Sequence, residues 1–333
     1  MKQALNKFKS LKLVQMMGFN RVVLIGVLIL MCILFSILSP ILHNGTVFFT
    51  SNRLLSAMNY AYFIGFLALG VTFVIATGGI DFSIGPVMFC AALISGYCLN
   101  QYGFPLWLCL VLCVVIGAIF GTIGGAFVAY LHLPSFITSM ALMQVAKGFG
   151  SVFTKTQSVS WPQNGSPNSW FRNLVRWNGL PTGLLILLVV AAICAVVLNH
   201  TRAGRYIICL GSNKEAVRLS GVDTRRWEML AFIICGALAG FAAIFYVGAY
   251  TTVQPGLGDT FNNEAIAACV MGGTSMAGGL ASILGTVIGA MSVALMQEGI
   301  LAMGFTISYQ YALTGLIVLG AVIADTLRRR RKN

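Results

Sequence analysis

The run PLWLCLVLCVVIGAIFGTIGGAFVAY, from Pro105 to Tyr130, contains no charged residue and shows no alternation of polar and apolar positions. One helix needs about 20 apolar residues to cross the hydrocarbon core of a bilayer, and this run is long enough. Backbone polar groups inside a bilayer must be paired within the protein, and barrel strands alternate in polarity. The run therefore predicts a transmembrane helix.

The composition extends this conclusion to the whole chain. Hydrophobic residues make up 58% of the sequence, charged residues 9%, and the mean hydropathy is +0.88. Such a chain is too apolar for a soluble globular domain. We expect an all-α polytopic membrane protein of about ten spans, with broken or re-entrant glycine-rich segments. The predicted spans are 21–42, 54–77, 84–99, 105–130, 135–153, 181–199, 229–250, the shorter 264–271, 281–296 and 305–326.

The formal net charge of +13 is concentrated in three segments, 1–20, 200–228 and 327–333. Positive charge collects on the cytoplasmic side of membrane proteins. This distribution predicts cytoplasmic termini and a cytoplasmic loop at 200–228, on either side of a single transmembrane domain, 21–326, whose loop 154–180 is external. It favours a topology signal over a surface that binds nucleic acid.

Motifs for catalysis or metal binding are missing from the sequence. The nine cysteines show no C-x-x-C spacing, and the three histidines form no cluster, so we expect no metal site. The sequence contains no G-x-x-x-x-G-K-[ST] and no hydrolase motif. We expect that the chain is not an enzyme and binds no cofactor of its own.

Two similar glycine-rich segments interrupt apolar runs, ATGGIDFSIG from Ala76 to Gly85 and VMGGTSMAGG from Val270 to Gly279. Broken helices in corresponding halves of a transporter indicate a transport site, because exposed helix ends are tolerated only where they line a cavity. The alternative is that the glycines serve only close helix contacts. The candidate pathway residues in these segments are Gly78, Gly79, Asp81, Ser83, Gly272 and Gly273.

Intramembrane carboxylates are costly and are therefore candidates for function. Asp81 could instead cap the helix that begins near Ser83, and Glu264 could favour the N-terminus of a short helix. Glu298 could face a cavity or the membrane interface. If one of these residues carries a proton or a sodium ion, the chain is an ion-coupled secondary transporter, and the residues alone leave this alternative open.

Glycines at helical spacing predict a tight bundle, because small residues let helix backbones approach closely. They occur in three of the predicted spans, as Gly117, Gly121 and Gly125, as Gly236 and Gly240, and as Gly285 and Gly289.

The segment GSNKEAVRLSG, from Gly211 to Gly221, is basic and compatible with a helix. A membrane protein without a nucleotide motif that carries such a loop is predicted to receive energy from a separate soluble partner docked there. The candidate coupling residues are Gly211, Asn213, Glu215, Ala216, Arg218, Leu219, Ser220 and Gly221.

Three motifs together resemble a known family. TGGIDFSIG at 77–85 is similar to its T-G-G-I-D-L-S-V-G, and GSNKEAVRLSGV at 211–222 is similar to its G-x-N-x-x-A-A-R-L-S-G-I. AIAA at 265–268, with GGTS at 272–275 and the glycine pair at 278–279, resembles its A-I-A-A…G-G-T-S…G-G. The family is the permease subunit of bacterial ABC importers for ribose, xylose, galactose and related sugars.

The resemblance implies a permease of the bacterial cytoplasmic membrane that pairs with a second copy or with a sister permease. It also implies ATPase subunits inside, which hold ATP and Mg²⁺, and an extracytoplasmic sugar-binding protein outside. Segment 211–221 would be the coupling segment. The chain departs from the family pattern at Asn262, where glutamate is common, and at Glu298-Gly299, where Asn-Gly is usual, and these departures leave the sugar open. Asn262, Glu264 and Glu298 complete the candidate pathway residues.

Overall fold

A computed structural model describes residues 19–43 and 47–330, and it is almost entirely helical. The helices are α1 (Phe19–Leu42), α2 (Ser51–Ala76), α3 (Ile84–Gln101), α4 (Leu106–Tyr130), α5 (Ser135–Phe153), α6 (Thr182–His200), α7 (Arg202–Leu219), α8 (Thr224–Tyr250), α9 (Asp259–Met271), α10 (Ile283–Ala302) and α11 (Ile307–Arg330). A short 3-10 helix, Ser169–Leu174, and a two-stranded antiparallel pair, β1 (Val159–Ser160) with β2 (Thr252–Val253), complete the described elements.

Eight of the described helices are long and apolar enough to cross a membrane. Every predicted span overlaps one of the helices, which confirms the all-α polytopic prediction. The count of ten and the orientation of the termini stay predictions. Helix α9 has 13 residues and is about 20 Å long, shorter than the roughly 30 Å hydrocarbon core. Residues 1–18 of the predicted basic N-terminal segment and 331–333 of the predicted tail lie outside the described residues.

Glycines fix the packing of the two most extensively paired helices, α4 and α8. A Cβ at Gly117 would collide with the backbone of Gly236 and Gly240, and a Cβ at Gly121 would collide with the Phe232 carbonyl. The two backbones therefore touch. In the same way, Gly289 of α10 lies against the Ala268 carbonyl of α9. The prediction of a tight bundle is confirmed, because side chains larger than hydrogen have no room at these positions.

Helix α2 is the central helix of the described bundle. Almost all of it from Tyr60 to Ala76 is buried, and it contacts α8, α9 and α10. The buried Thr72 hydroxyl, one turn before the end of α2, hydrogen-bonds to Thr286 of α10 at 3.0 Å. Since the segment from Tyr60 to Ala76 is buried on all sides, its position fixes the helices packed around it.

The bundle has two distinct ends. At one end lie β1, β2 and the 3-10 helix, where the Trp161 indole is buried and donates to the Ala92 carbonyl at 3.2 Å. At the other end lies α7, which joins α6 to α8. The segment 154–180, predicted to be a loop, thus carries small elements, and the segment 200–228 carries a whole helix.

Candidate functional site

The two glycine-rich segments break the helices and meet each other at the α7 end of the bundle. The first break comprises residues 77–83, between α2 and α3, and the second comprises 272–282, between α9 and α10. The Gly279 N–H donates to the Ala76 carbonyl at 3.0 Å. Gly78 and Gly278, both with positive φ, stand with their backbones in contact. These glycines thus break the helices and also allow close backbone contacts, so the two interpretations made from the sequence are compatible.

Asp81 and Ser83 are buried in the first break and bonded to each other. The Asp81 carboxylate accepts the Ser83 N–H at 2.8 Å and the Ser83 hydroxyl at 2.6 Å, both through Oδ1. Ser83 is the N-cap residue of α3 and makes no side-chain capping bond of its own. Asp81 therefore organises the turn into α3 by holding the N-cap residue, and it does not bond to the first helical turn.

A cavity of about 450 Å³ lies between α9 and α11. Phe82 of the first break and Met276 of the second contribute to its wall, so both breaks reach it through side chains. The polar residues that line it are Thr260, Asn263, Glu264 and Thr314. A large, mostly apolar cavity with a few polar groups is typical of a small-molecule site.

Glu264 is a buried member of this cavity wall. Its Oε2 accepts a hydrogen bond from the Tyr60 hydroxyl of α2, and its Oε1 accepts one from Gln310 Nε2 of α11 at 3.0 Å. The predicted helix-terminal role is wrong, because α9 begins at Asp259 and Glu264 lies in its second turn. A buried carboxylate needs such hydrogen-bond partners, and here they join α2, α9 and α11.

Of the predicted pathway residues, only Glu264 is among the residues that line this cavity. Asn262 is buried against α3 and accepts the Gly85 N–H at 2.7 Å. Glu298 is half-buried and lines a separate small pocket with Arg53. Gly272 packs against the backbone of Gly285, and Gly273 has a φ of 91° in the turn after α9.

Thr260, Asn263 and Thr314 were not predicted from the sequence. Thr260, Asn263 and Glu264 are three and four residues apart, so they share one face of α9. This spacing is visible in the sequence, but it indicates a shared face only if a helix begins at Asp259. The polar composition of 251–263 instead favoured a loop. Thr314 lies on α11, where nothing in the sequence indicates which face meets α9.

The coupling segment begins at Gly211, just before an interruption in α7, and continues through the second half of the helix to the turn after it. Helical geometry is interrupted at Asn213, whose φ of −160° and ψ of 95° are extended. Its side-chain oxygen accepts the Ala216 N–H at 3.0 Å, as an N-cap does. The short helix that follows is exposed apart from Val217, and Leu219 is 76% exposed. The predicted coupling residues thus form a protruding helix, except for Gly211.

Two charged residues on this helix pair with each other. Arg218 donates two hydrogen bonds to Glu215, at 2.9 and 2.5 Å. These bonds lower the pKa of Glu215 and raise the pKa of Arg218 relative to their ordinary values. The pair is fully exposed, so it orients charge on the surface and adds little to stability.

Gly211 is directed inward rather than toward a partner. A Cβ on it would collide with the Ala76 carbonyl and with the backbone of Gly278 and Gly279. The first half of α7 therefore presses on the point where the two breaks meet. Close by, a polar pocket of about 200 Å³ contains Gly78, Gly79 and the ion pair of Lys214 with Glu228.

Comparison with known protein families identifies this arrangement. Residues 53–322 match the family model described as "Branched-chain amino acid transport system / permease component". The chain belongs to this permease family. The match extends from α2 into α11 and so includes both breaks, the cavity and α7.

Individual relatives agree with the family assignment. The permease is 33% identical to the ribose import permease protein RbsC of Escherichia coli strain K12, over 91% of this chain and 93% of that protein. It is 30% identical to the fructose import permease protein FrcC of Rhizobium meliloti, over 86% and 81% of the two chains. It is 29% identical to the xylose transport system permease protein XylH of Escherichia coli strain K12, over 85% and 88%. No solved structure matches the chain.

These findings make the chain a multi-pass membrane permease component and not an enzyme. Within residues 19–43 and 47–330, no group of three or more histidine, cysteine, aspartate or glutamate residues could hold a metal ion.

Proposed function

We propose that this permease forms the translocation pathway of an ATP-driven importer for a monosaccharide. The contact of Gly211 with Ala76, the residue before the first break, and with Gly278 and Gly279 of the second break carries the proposal. It joins an exposed helix, on which another protein can act, to the two breaks that contribute Phe82 and Met276 to the cavity. A displacement of α7 would therefore reach the cavity wall through directly packed backbone, without a flexible linker.

A charged pair that includes a residue of a candidate span supports a pathway on the α5 and α9 side. Lys147, in the second half of α5, forms an ion pair with Asp259 at the start of α9, and both side chains are partly exposed. Charged groups inside a membrane face a water-filled cavity or another protein rather than lipid. This surface, which continues into Thr260 and Asn263, fits a pathway closed by a second permease, either another copy or a sister subunit.

The family and the charge pattern support the proposed energy source and partners. The α7 end would face the cytoplasm, where ATPase subunits carrying ATP and Mg²⁺ would dock on the exposed part of α7. An extracytoplasmic sugar-binding protein would deliver substrate at the end with β1 and β2. The membrane would be the bacterial cytoplasmic membrane, and the permease itself would bind no cofactor. The names of the relatives favour a sugar such as ribose, fructose or xylose.

Reconstitution tests this function. The permease, with a candidate ATPase subunit and a candidate sugar-binding protein, is placed in proteoliposomes and supplied with labelled D-ribose, D-xylose or D-fructose. The proposal is supported if at least one sugar is taken up and this uptake requires ATP inside the vesicle. Concentrative uptake by the permease alone under a sodium or proton gradient would instead establish the ion-coupled secondary transporter.

The Gly211 contact has its own test in the same vesicles. Gly211→Val should abolish uptake, because the side chain would force α7 away from both breaks. Gly26→Val on α1 is the control, since no described atom lies within 4 Å of a Cβ placed there. Normal uptake by Gly211→Val would contradict coupling through this contact.

A further inference from the structure

The wall of the cavity between α9 and α11, and the turn of α11 beside it, carry hydrogen-bonding groups that the described residues do not use. Thr314 lines the cavity and is only 2% exposed, yet its hydroxyl has no hydrogen-bond partner among the described residues. One helical turn earlier on the same face of α11, Gln310 is fully buried and its Oε1 also lacks a partner there. Buried polar groups without partners are rare in native proteins and call for an explanation.

Glu264 fixes the orientation of this pair. It accepts the Gln310 Nε2 hydrogen bond at 3.0 Å, and so the amide group is held with its donor side toward the carboxylate. The Tyr60 hydroxyl occupies the other carboxylate oxygen. The network therefore leaves one carbonyl acceptor, on Gln310, and one hydroxyl, on Thr314, which can both donate and accept.

The chemistry of the missing partner follows from these groups. A carbonyl oxygen needs a donor, and a hydroxyl can pair with another hydroxyl, so a solute with several hydroxyl groups satisfies both. An anion is disfavoured because the Glu264 carboxylate lies in the same wall. A simple cation would have to displace the neutral donors already bound to that carboxylate.

The apolar part of the wall suits the same solute. Phe82 and Tyr311 contribute aromatic rings to the lining, and the apolar C–H face of a sugar ring can pack on such surfaces. The volume of about 450 Å³ lies within the roughly 300–1,000 Å³ typical of small-molecule sites. Thr260 and Asn263 supply further hydrogen-bonding groups on the α9 side.

We propose that the permease has its own binding site for a neutral monosaccharide in this cavity, with Thr314 as a direct hydrogen-bonding residue and Glu264 as the residue that positions Gln310. This inference rests on the proposed function and deepens it. Substrate selection would then occur inside the permease as well as in the external binding protein.

Protection from thiol modification tests the site without any partner protein. The purified permease in nanodiscs carries Thr314→Cys in a Cys209→Ala background, because Cys209 is an exposed cysteine. Methyl methanethiosulfonate modifies the introduced thiol in the presence of D-ribose, D-xylose, D-fructose or, as a control solute, sodium chloride. Thr122→Cys is the matched control position, since Thr122 is exposed on α4 and bonded only to its own helix.

A sugar that slows modification at position 314 by about tenfold, as expected for a site mostly occupied by ligand, and leaves position 122 unaffected supports the inference. If none of the three sugars protects position 314, while the wild-type importer transports one of them, the internal site is refuted and the proposed function stands. If the wild-type importer transports none of them, the proposed function fails and the inference fails with it.

Uptake by hydroxyl variants provides the second measurement. Thr314→Val should lower the maximal uptake rate by about tenfold, the effect of one lost hydrogen bond to substrate. The half-saturating sugar concentration should stay constant if the external protein sets it. Thr314→Ser should restore the rate, and Thr122→Val should have no effect. An unchanged rate in Thr314→Val would overturn the role of Thr314.

Discussion

The amide N–H of Gly279 donates to the carbonyl of Ala76 at 3.0 Å, and this bond joins the ends of two helices that are far apart in the sequence. Ala76 is the last residue of α2, and its carbonyl has no partner within a helix that stops there. The second break supplies that partner. Gly211 of α7 packs on the same bond, so the coupling helix and both breaks form one structural unit.

Helix contact between α4 and α8 should be sensitive to a single methyl group. Gly117→Ala places a Cβ against the Gly236 carbonyl, and we expect a loss of about 1–3 kcal/mol, as for overpacking in a core. A lower midpoint of thermal unfolding in detergent would show this loss. Gly148→Ala on α5 is the control, since no described atom lies within 4 Å there. Equal midpoints for the two variants would contradict the close contact.

Reversal of charge on the coupling helix should separate ATP hydrolysis from uptake. Arg218→Glu breaks the pair with Glu215 and places repelling carboxylates on the exposed turn. We expect continued hydrolysis and greatly reduced uptake in proteoliposomes, with normal insertion of the protein. Arg226→Glu is the matched control, because Arg226 forms an equivalent exposed pair with Asp223 outside the coupling segment. Normal uptake by Arg218→Glu would argue against docking there.

The turn formed by Asp81 should depend on an acceptor oxygen. Asp81→Ala removes both hydrogen bonds to Ser83, and a loss of about 1–3 kcal/mol is expected for buried donors left unpaired. Asp81→Asn keeps an Oδ1 acceptor and should preserve assembly. The measurement is the yield of monodisperse permease and its unfolding midpoint. A failure of both variants to the same extent would show that the carboxylate charge, and not the turn, is required.

The bond from Tyr60 to Glu264 should stabilise the packing of α2 on α9, and through the bond of Glu264 with Gln310 also the packing of α11. Tyr60→Phe removes the hydroxyl and leaves one buried carboxylate oxygen without a donor, at a cost of about 1–3 kcal/mol. The unfolding midpoint should fall, and uptake should fall as Gln310 loses its fixed orientation. Tyr102→Phe, at a side chain 63% exposed, should behave as wild type. An unchanged midpoint in Tyr60→Phe would exclude a structural role for this bond.

Much of the fold could be predicted because the bilayer imposes simple rules on sequence. Long apolar runs marked the helices, glycines at helical spacing marked the α4 and α8 contact, and the basic segment at 200–228 marked α7. The glycine pairs marked both breaks. Each of these signals is local, since it depends on residues close together in the chain.

The candidate site could be predicted only in part, because its members meet across the bundle. The sequence identified Glu264 as a costly intramembrane carboxylate but assigned it to a helix end, since the start of α9 at Asp259 is hidden in a polar stretch. Its partners Tyr60 and Gln310 come from α2 and α11. No spacing rule connects residues on helices whose faces are set by tertiary packing.

Hydrophobicity, small-residue spacing and charge therefore determined that this chain crosses a membrane as packed helices with two breaks and a basic coupling segment. Tertiary structure alone decided that Gly211 faces the breaks and not a partner. It also decided that Phe82 and Met276 of the two breaks contribute to the cavity wall, and that Thr314 and Glu264 line the same cavity. The reason is physical. Burial in lipid selects residue types along each helix, whereas a cavity depends on the rotation of one helix against another, which the contacts of the whole bundle set.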